Sequence, residues 1–180
     1  MLNSVNGHTQ RKGDAMLIRT STTQDLERIM QIYARARSFM AETGNPNQWG
    51  PNQWPPQGLI EQDIATGKGY VCEHEGRVVG VFFFDQGSHI EPTYDQIDDG
   101  AWIGDETYGV VHRIAADGTV KGTGQFCLEW AFAQCGHLRI DTHHDNKVMQ
   151  NLLRKLGFVH CGTIYVHEDN DPRLAFEKLS

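Results

Sequence analysis

A layered α/β domain is the fold class this sequence predicts, and three observations carry it. Helical and strand-like hydrophobic patterns are interleaved along the whole chain instead of falling into blocks. Its 180 residues suit a single domain whose core is large enough to need neither disulfides, metals nor repeats. Near the middle, the glycine-rich run GTVKGTG at 118–124 separates an apolar stretch from an amphipathic one, the order strand, loop, helix.

The elements follow in order. Residues 1–15 lack periodicity and are expected to be a flexible extension, leaving a domain over 16–180. Residues 16–20 alternate apolar and polar side chains as a short strand. Thr22 and Asp25 have the spacing of a capping box, and Leu26, Ile29, Met30 and Tyr33 then recur at helical spacing, which predicts a helix over 23–43. Pro-Asn-Gln-Trp next occurs twice, at 46–49 and 51–54, among prolines that forbid a regular helix. Trp49 and Trp54 there either plug the core beneath a loop or wall a ligand site.

A short helix is expected over 59–66. Strands 70–74 and 77–84 are joined by Glu75-Gly76, a tight turn between runs rich in Val, Phe and Tyr, and so form an antiparallel hairpin. Residues 85–107 read as irregular and are too long for a plain hairpin. They carry Asp85, Glu91, Asp95, Asp98, Asp99, Asp105 and Glu106 with no Lys or Arg. After the central strand, loop and helix, 138–142 is a further buried strand, and Val148, Met149, Leu152, Leu153 and Leu156 mark one face of a last helix that Gly157 terminates. Strands over 158–167 and 173–179 close the chain, divided by a polar turn at 168–172.

Composition limits the partners. A net charge of −7 and a pI near 5.7 argue against a broad nucleic-acid surface, which needs clustered Lys and Arg. Cys72, Cys127, Cys135 and Cys161 include no Cys-x-x-Cys pair and read as reduced thiols. No apolar run approaches membrane-spanning length and residues 1–15 lack the hydrophobic centre of a secretory signal, so a cytoplasmic protein is expected, without membrane association.

The run 118–124 leaves backbone N–H groups free at a helix start, where dipole and glycine favour an anion such as phosphate. It is neither a P-loop nor a dinucleotide fingerprint, because Lys121 precedes the glycine pair and Gln125 follows it. Thr119-Val120-Lys121-Gly122-Thr123-Gly124 instead resembles the pyrophosphate signature Gln/Arg-x-x-Gly-x-Gly/Ala of the GNAT superfamily of acetyl-coenzyme A dependent N-acetyltransferases. Both glycines fit, and Thr119 stands where Gln or Arg is usual. Residues 145–158 resemble the family's Asn-to-Gly-Phe segment, and HRIA at 112–115 with RIDTHHDN at 139–146 resembles a bacterial branch of these enzymes.

The resemblance implies a mixed, V-shaped central sheet flanked by helices, with the strands ending near Ala116 and Thr142 splayed to admit the pantetheine arm. Backbone from Arg113 through Ile114 and Ala115 to Ala116 would pair with pantetheine amides. Thr119, Val120, Lys121, Gly122, Thr123 and Gly124 would cradle the pyrophosphate, and Asn146 would reach the arm. Acetyl-coenzyme A is thus the expected co-substrate, and a small-molecule amine the expected acceptor, attacking the thioester directly. A homodimer is compatible with the sequence. A binding module with degenerate catalytic residues, or a protein N-acetyltransferase, are the alternatives.

Amine attack needs a neutral amine, a polarised carbonyl and a protonated leaving thiolate. The family's oxyanion group is a backbone N–H, here near His112. His112 is the first candidate base, since imidazole titrates near neutrality, with Tyr108 and Glu106 expected on the same face. Where many members carry a donor tyrosine, this chain has Leu153, and Tyr165 or water is left as the acid. Trp102, Asp141 and His143 join Trp49 and Trp54 as candidate substrate contacts, Asp141 orienting His143 or capping the last helix. Asp-x-His-His, with His160 and Cys161, offers zinc-type ligands without the paired spacings of a zinc site, so no metal is expected. The acidic segment is expected near the acceptor side, where it would draw in a cationic amine.

Overall fold

The structure, a computed structural model, describes residues 15–105, 107–166 and 170–180. The extension expected over 1–15 lies outside the described residues except for Ala15. Glu106, the last residue of the strand expected over 158–167 and part of the turn after it also lie outside.

The chain begins with β1 (Leu17–Thr20), a 3-10 turn (Thr23–Asp25) and α1 (Leu26–Glu42). The Asp25 carboxylate accepts from the Thr22 N–H at 2.8 Å, which fixes the helix start where the spacing placed it. After the proline-rich loop come α2 (Gln57–Ala65), β2 (Gly69–His74) and β3 (Arg77–Gly87). Glu75 and Gly76 both have positive φ, 50° and 73°, as a tight hairpin turn requires. Then follow β4 (Tyr108–Ala116), α3 (Thr123–Cys135), β5 (His137–His143), α4 (Lys147–Lys155), β6 (Val159–Tyr165) and β7 (Pro172–Leu179). Strand β3 runs three residues beyond its expected end because Asp85, Gln86 and Gly87 pair with Val110, Gly109 and Tyr108, partners more than twenty residues away.

These strands form one seven-stranded sheet in the order β1-β2-β3-β4-β5-β7-β6, antiparallel throughout except between β4 and β5. That parallel pair is joined only at Gly109↔Leu138 and Val110↔Arg139. Beyond these two positions the strands carry no mutual pairing, and the sheet opens into the expected V.

Alternation along β4 and β5 sorts side chains between two faces. On one, α3 and α4 cover Val111, Leu138, Ile140, Phe82 and Phe84, with Leu153 fully buried among them. On the other, Ile29, Ile32 and Tyr33 of α1 and Ile60 of α2 cover Val71, Val81 and Ala115. The same face continues under β4, β6 and β7, but no helix covers it there. The acidic segment does so, packing Tyr94, Ile90, Ile97 and Trp102 on Tyr108, Val110, Ile164 and Ala175.

That segment also seals an edge. Asp98 and Thr163 exchange main-chain bonds of 2.8 Å, and Ala101 N–H donates to the Cys161 carbonyl, so the outer side of β6 is paired along part of its length. Fully buried Glu177 of β7 accepts from the Ile103 N–H and from Arg139 Nε at 2.8 Å, tying the segment to the sheet.

Candidate functional site

The V between β4 and β5 is a cavity of about 560 Å³, lined by both strands, the 47–54 loop, the turn at 91–93 and the start of α4. His112 projects into it from β4 and Asp141 from β5, on the face shared with Tyr108 and Arg139. Opposite them, Glu91 caps the 3-10 turn Pro92–Tyr94. Its Oε1 accepts from the Thr93 N–H at 3.3 Å and the Thr93 hydroxyl at 2.6 Å. The other carboxylate oxygen, Oε2, lies 2.8 Å from His112 Nε2.

Burial opposes charge on Glu91, yet the His112 bond and the two Thr93 bonds outweigh it and hold the carboxyl at about 2. An ionised Glu91 is acceptor-only, so His112 donates from Nε2, and in the neutral ring Nδ1 keeps a lone pair. Nδ1 is 3.9 Å from Asp141 Oδ1, which itself accepts from the Tyr94 hydroxyl at 2.7 Å. Burial first, and then the Asp141 carboxylate, push the Tyr94 hydroxyl far above its ordinary value, so Tyr94 remains a donor.

Strand β4 is not regular beside this histidine. Phe83 pairs with His112 and Val81 with Ala115, so Phe82 alone faces two residues, Arg113 and Ile114. This is a β-bulge, and Arg113 sits in it at φ 52°. The bulge turns Ala115 onto the face that His112 uses, against the α1 core, and takes Arg113 and Ile114, which line the cavity, out of regular pairing.

At the far end of β4, Asp117 shapes the glycine loop. Its Oδ1 accepts from the Thr119 N–H at 2.8 Å and from the Thr119 hydroxyl at 2.6 Å, and Arg28 binds its other oxygen at 2.5 Å. Gly122 enters α3 at φ 86°, a conformation that suits glycine, and no side chain caps the helix start. The first-turn amides of α3 are therefore left for an anion, with Lys121 exposed beside them. Thr119 lacks the reach of the usual Gln or Arg, but Arg77 donates to its hydroxyl from β3 at 2.8 Å and brings a cation to the loop.

The expected residues thus fall into two groups. Together at the cavity are His112, Arg113, Ile114, Asp141, Asn146, Trp49 and Trp54. Trp49 both lines the cavity and is buried edge-on against Tyr33 at 5.8 Å. Asn146 caps α4 through Met149 N–H and donates to Gln48 Oε1 at 3.0 Å, linking the 47–54 loop to α4.

Elsewhere are Tyr108 and Trp102, which sandwich the Arg139 guanidinium at 4.1 and 4.4 Å and line a second cavity of about 480 Å³. The Tyr94 ring lies next to both Tyr108 and His112 and fills the space between them. Tyr165 is exposed on the outer strand β6 and does not line the cavity, because its alternation points it to solvent. Glu106 lies outside the described residues.

His143 is buried beyond the cavity lining, its Nδ1 accepting from the Asp145 N–H at 3.1 Å. Asp141 serves Tyr94, not His143, and Asn146, not Asp141, caps the last helix. His143, His144 and Asp145 bring one ligand-type atom each within 4.8 Å of one another, while His160 and Cys161 are not among them. The acidic segment reaches the cavity only in part. Asp85 pairs with Lys68, Asp95 with His89, and Asp98 bridges β6, so among the described acidic residues of this segment only Glu91 lines the cavity.

Glu91 and Tyr94 were not foreseen as site residues. Glu-Pro-Thr-Tyr offers a local sign of a capped turn, but no sequence pattern ties it to a histidine 21 positions on.

No protein-family model matches the chain, and no curated protein does. Solved structures do. An acetyltransferase of the GNAT family from Streptococcus agalactiae is 30% identical, with a TM-score of 0.76 over 92% of this chain and 95% of that one. A GNAT-family acetyltransferase from Listeria monocytogenes is 18% identical with a TM-score of 0.67, over 93% and 96%. A ribosomal-protein-alanine N-acetyltransferase from Brucella melitensis is 19% identical with a TM-score of 0.59, over 91% and 99%, a likeness of fold alone.

Proposed function

Because the chain belongs to the GNAT family of acetyltransferases, we propose that it transfers the acetyl group of acetyl-coenzyme A to the amine of a small molecule, by direct attack in a ternary complex. The observation that carries this reading is the His112–Glu91 hydrogen bond set inside the splay of β4 and β5. Residues along the V fit the co-substrate. The uncapped start of α3, with Lys121 and Arg77, offers donors and charge to a pyrophosphate, and Arg113 and Ile114 at the bulge line the cavity where the pantetheine arm would run. Bound there, acetyl-coenzyme A supplies an activated acyl carbonyl.

Glu91 holds the imidazole by Nε2 and leaves Nδ1 to accept the amine's proton. The imidazolium so formed lies between two carboxylates, Glu91 and Asp141, which stabilise it. Leu153 occupies the usual donor position and is wholly within the core, so the chain offers no side-chain proton there; water serves the departing thiolate. The 47–54 loop lines the cavity and its Gln48–Asn146 bond ties it to the start of α4, which supports a small acceptor over a protein segment.

A thiol-release assay across small amines and N-terminal peptides, with products identified by mass, tests the proposal. Acetylation of at least one small amine, with peptides inert, is the expected result. Acetyl-coenzyme A binding with no thiol release from any acceptor would make the chain a binding module instead, and preferential acetylation of peptides would make it a protein acetyltransferase.

A further inference from the structure

We propose that Asp63 is a positioning residue for acyl transfer, acting through Arg113 to hold the bulge of β4 in its reactive shape. The inference rests on the acetyl-transfer reading above. A non-glycine residue at φ 52° within a strand is strained and persists only where its surroundings fix it. Three anchors do so here, from three elements. From α1, the Tyr33 hydroxyl donates to the Arg113 carbonyl at 2.8 Å. From β3, the Phe83 ring lies under the guanidinium at 4.6 Å. From α2, Asp63 takes the guanidinium as a fork, with Nη2 at 2.8 and 2.9 Å from its two oxygens and Nε at 3.1 Å.

Asp63 is a costly way to hold a strand bulge. It is buried, and it sits in the last turn of α2, where the helix dipole disfavours a carboxylate. A fold seeking only stability would put an apolar side chain there. Its geometry points instead to the backbone it fixes, since Arg113 follows His112 directly and both residues line the cavity where the acyl carbonyl would be polarised. A shift of the backbone at 112–113 by a fraction of an ångström would alter the reaction more than the binding.

The test is Asp63→Asn, with Arg113→Lys as a second variant that keeps the charge and loses the fork. Steady-state kinetics, coenzyme A affinity by calorimetry, and amide hydrogen exchange over 110–116 are read on each. Expected are a fall in kcat on the order of 10- to 100-fold, coenzyme A affinity within about threefold, and faster exchange over 110–116. In the double variant Asp63→Asn with Arg113→Lys, kcat is expected to fall no further than in the worse single, because both act through one fork. Lowered thermal stability with kcat and exchange unchanged would overturn the proposal and leave Asp63 a structural ion pair. If the wild type itself transfers no acetyl group, the acetyl-transfer reading fails, and the exchange data alone decide whether the clamp exists.

Discussion

His112 is held by one nitrogen and open at the other, and this asymmetry is the chemistry of the site. Replacing it by alanine removes the proposed base, so kcat is expected to drop about 100-fold at neutral pH, with coenzyme A affinity unchanged. Glu91 makes a separate prediction. Its carboxyl is held at about 2 against an ordinary 4.5, burial opposing and the His112 and Thr93 bonds prevailing. A carboxyl depressed in the folded state stabilises fully above its unfolded value, and that contribution is lost as pH falls towards the folded one. Thermal melts from about pH 5 to pH 3 should therefore decline less steeply for Glu91→Gln than for wild type, and the same variant should lose kcat because Nε2 is no longer fixed by a carboxylate. At this scale the sequence was half legible. Histidine chemistry singles out His112, and Trp49 and Asp141 also fall at the cavity. Tyr108 and Tyr165 show the limit, because alternation says which face a side chain takes but not what fills the space beside it. Tyr94 fills that space here, from a segment without periodicity.

Among the elements, α3 and its loop were the most legible. Glycine at a helix start has a local cause, and Gly122 at φ 86° fulfils it. Gly122→Asp places a side chain and a negative charge among the amides proposed for the pyrophosphate, and calorimetry should show acetyl-coenzyme A binding lost. The acidic segment was the least legible, because its charges point to a substrate-facing loop while its packing in the fold rests on Ile90, Tyr94, Ile97 and Trp102. Its backbone passes so close to β6 that a Cβ on Gly100 would collide with the Cys161 carbonyl. Gly100→Ala should lower stability by about 1–3 kcal/mol in chemical denaturation, the cost of overpacking against a strand that cannot move away. The bulge in β4 had no sequence signature, since a strand reads the same with or without one until its partner is known.

For the molecule as a whole, the order of strands and helices was readable because each element carries its own periodicity, and the parallel pair β4–β5 at the centre was inferred from the family resemblance. That pair separates after two rungs, and the cavity, the bulge and the His112–Glu91 bond all lie where it opens. Within the 85–107 segment, Asp85 pairs with Lys68, Asp95 bonds to His89 and Asp98 pairs with β6 through its main chain. The most direct test is the rate of coenzyme A thiol release by wild type and His112→Ala, at saturating acetyl-coenzyme A with the best small amine. Robust release by wild type and a drop of about 100-fold in the variant, with equal coenzyme A affinity, is the predicted result; equal rates in the two proteins would contradict it.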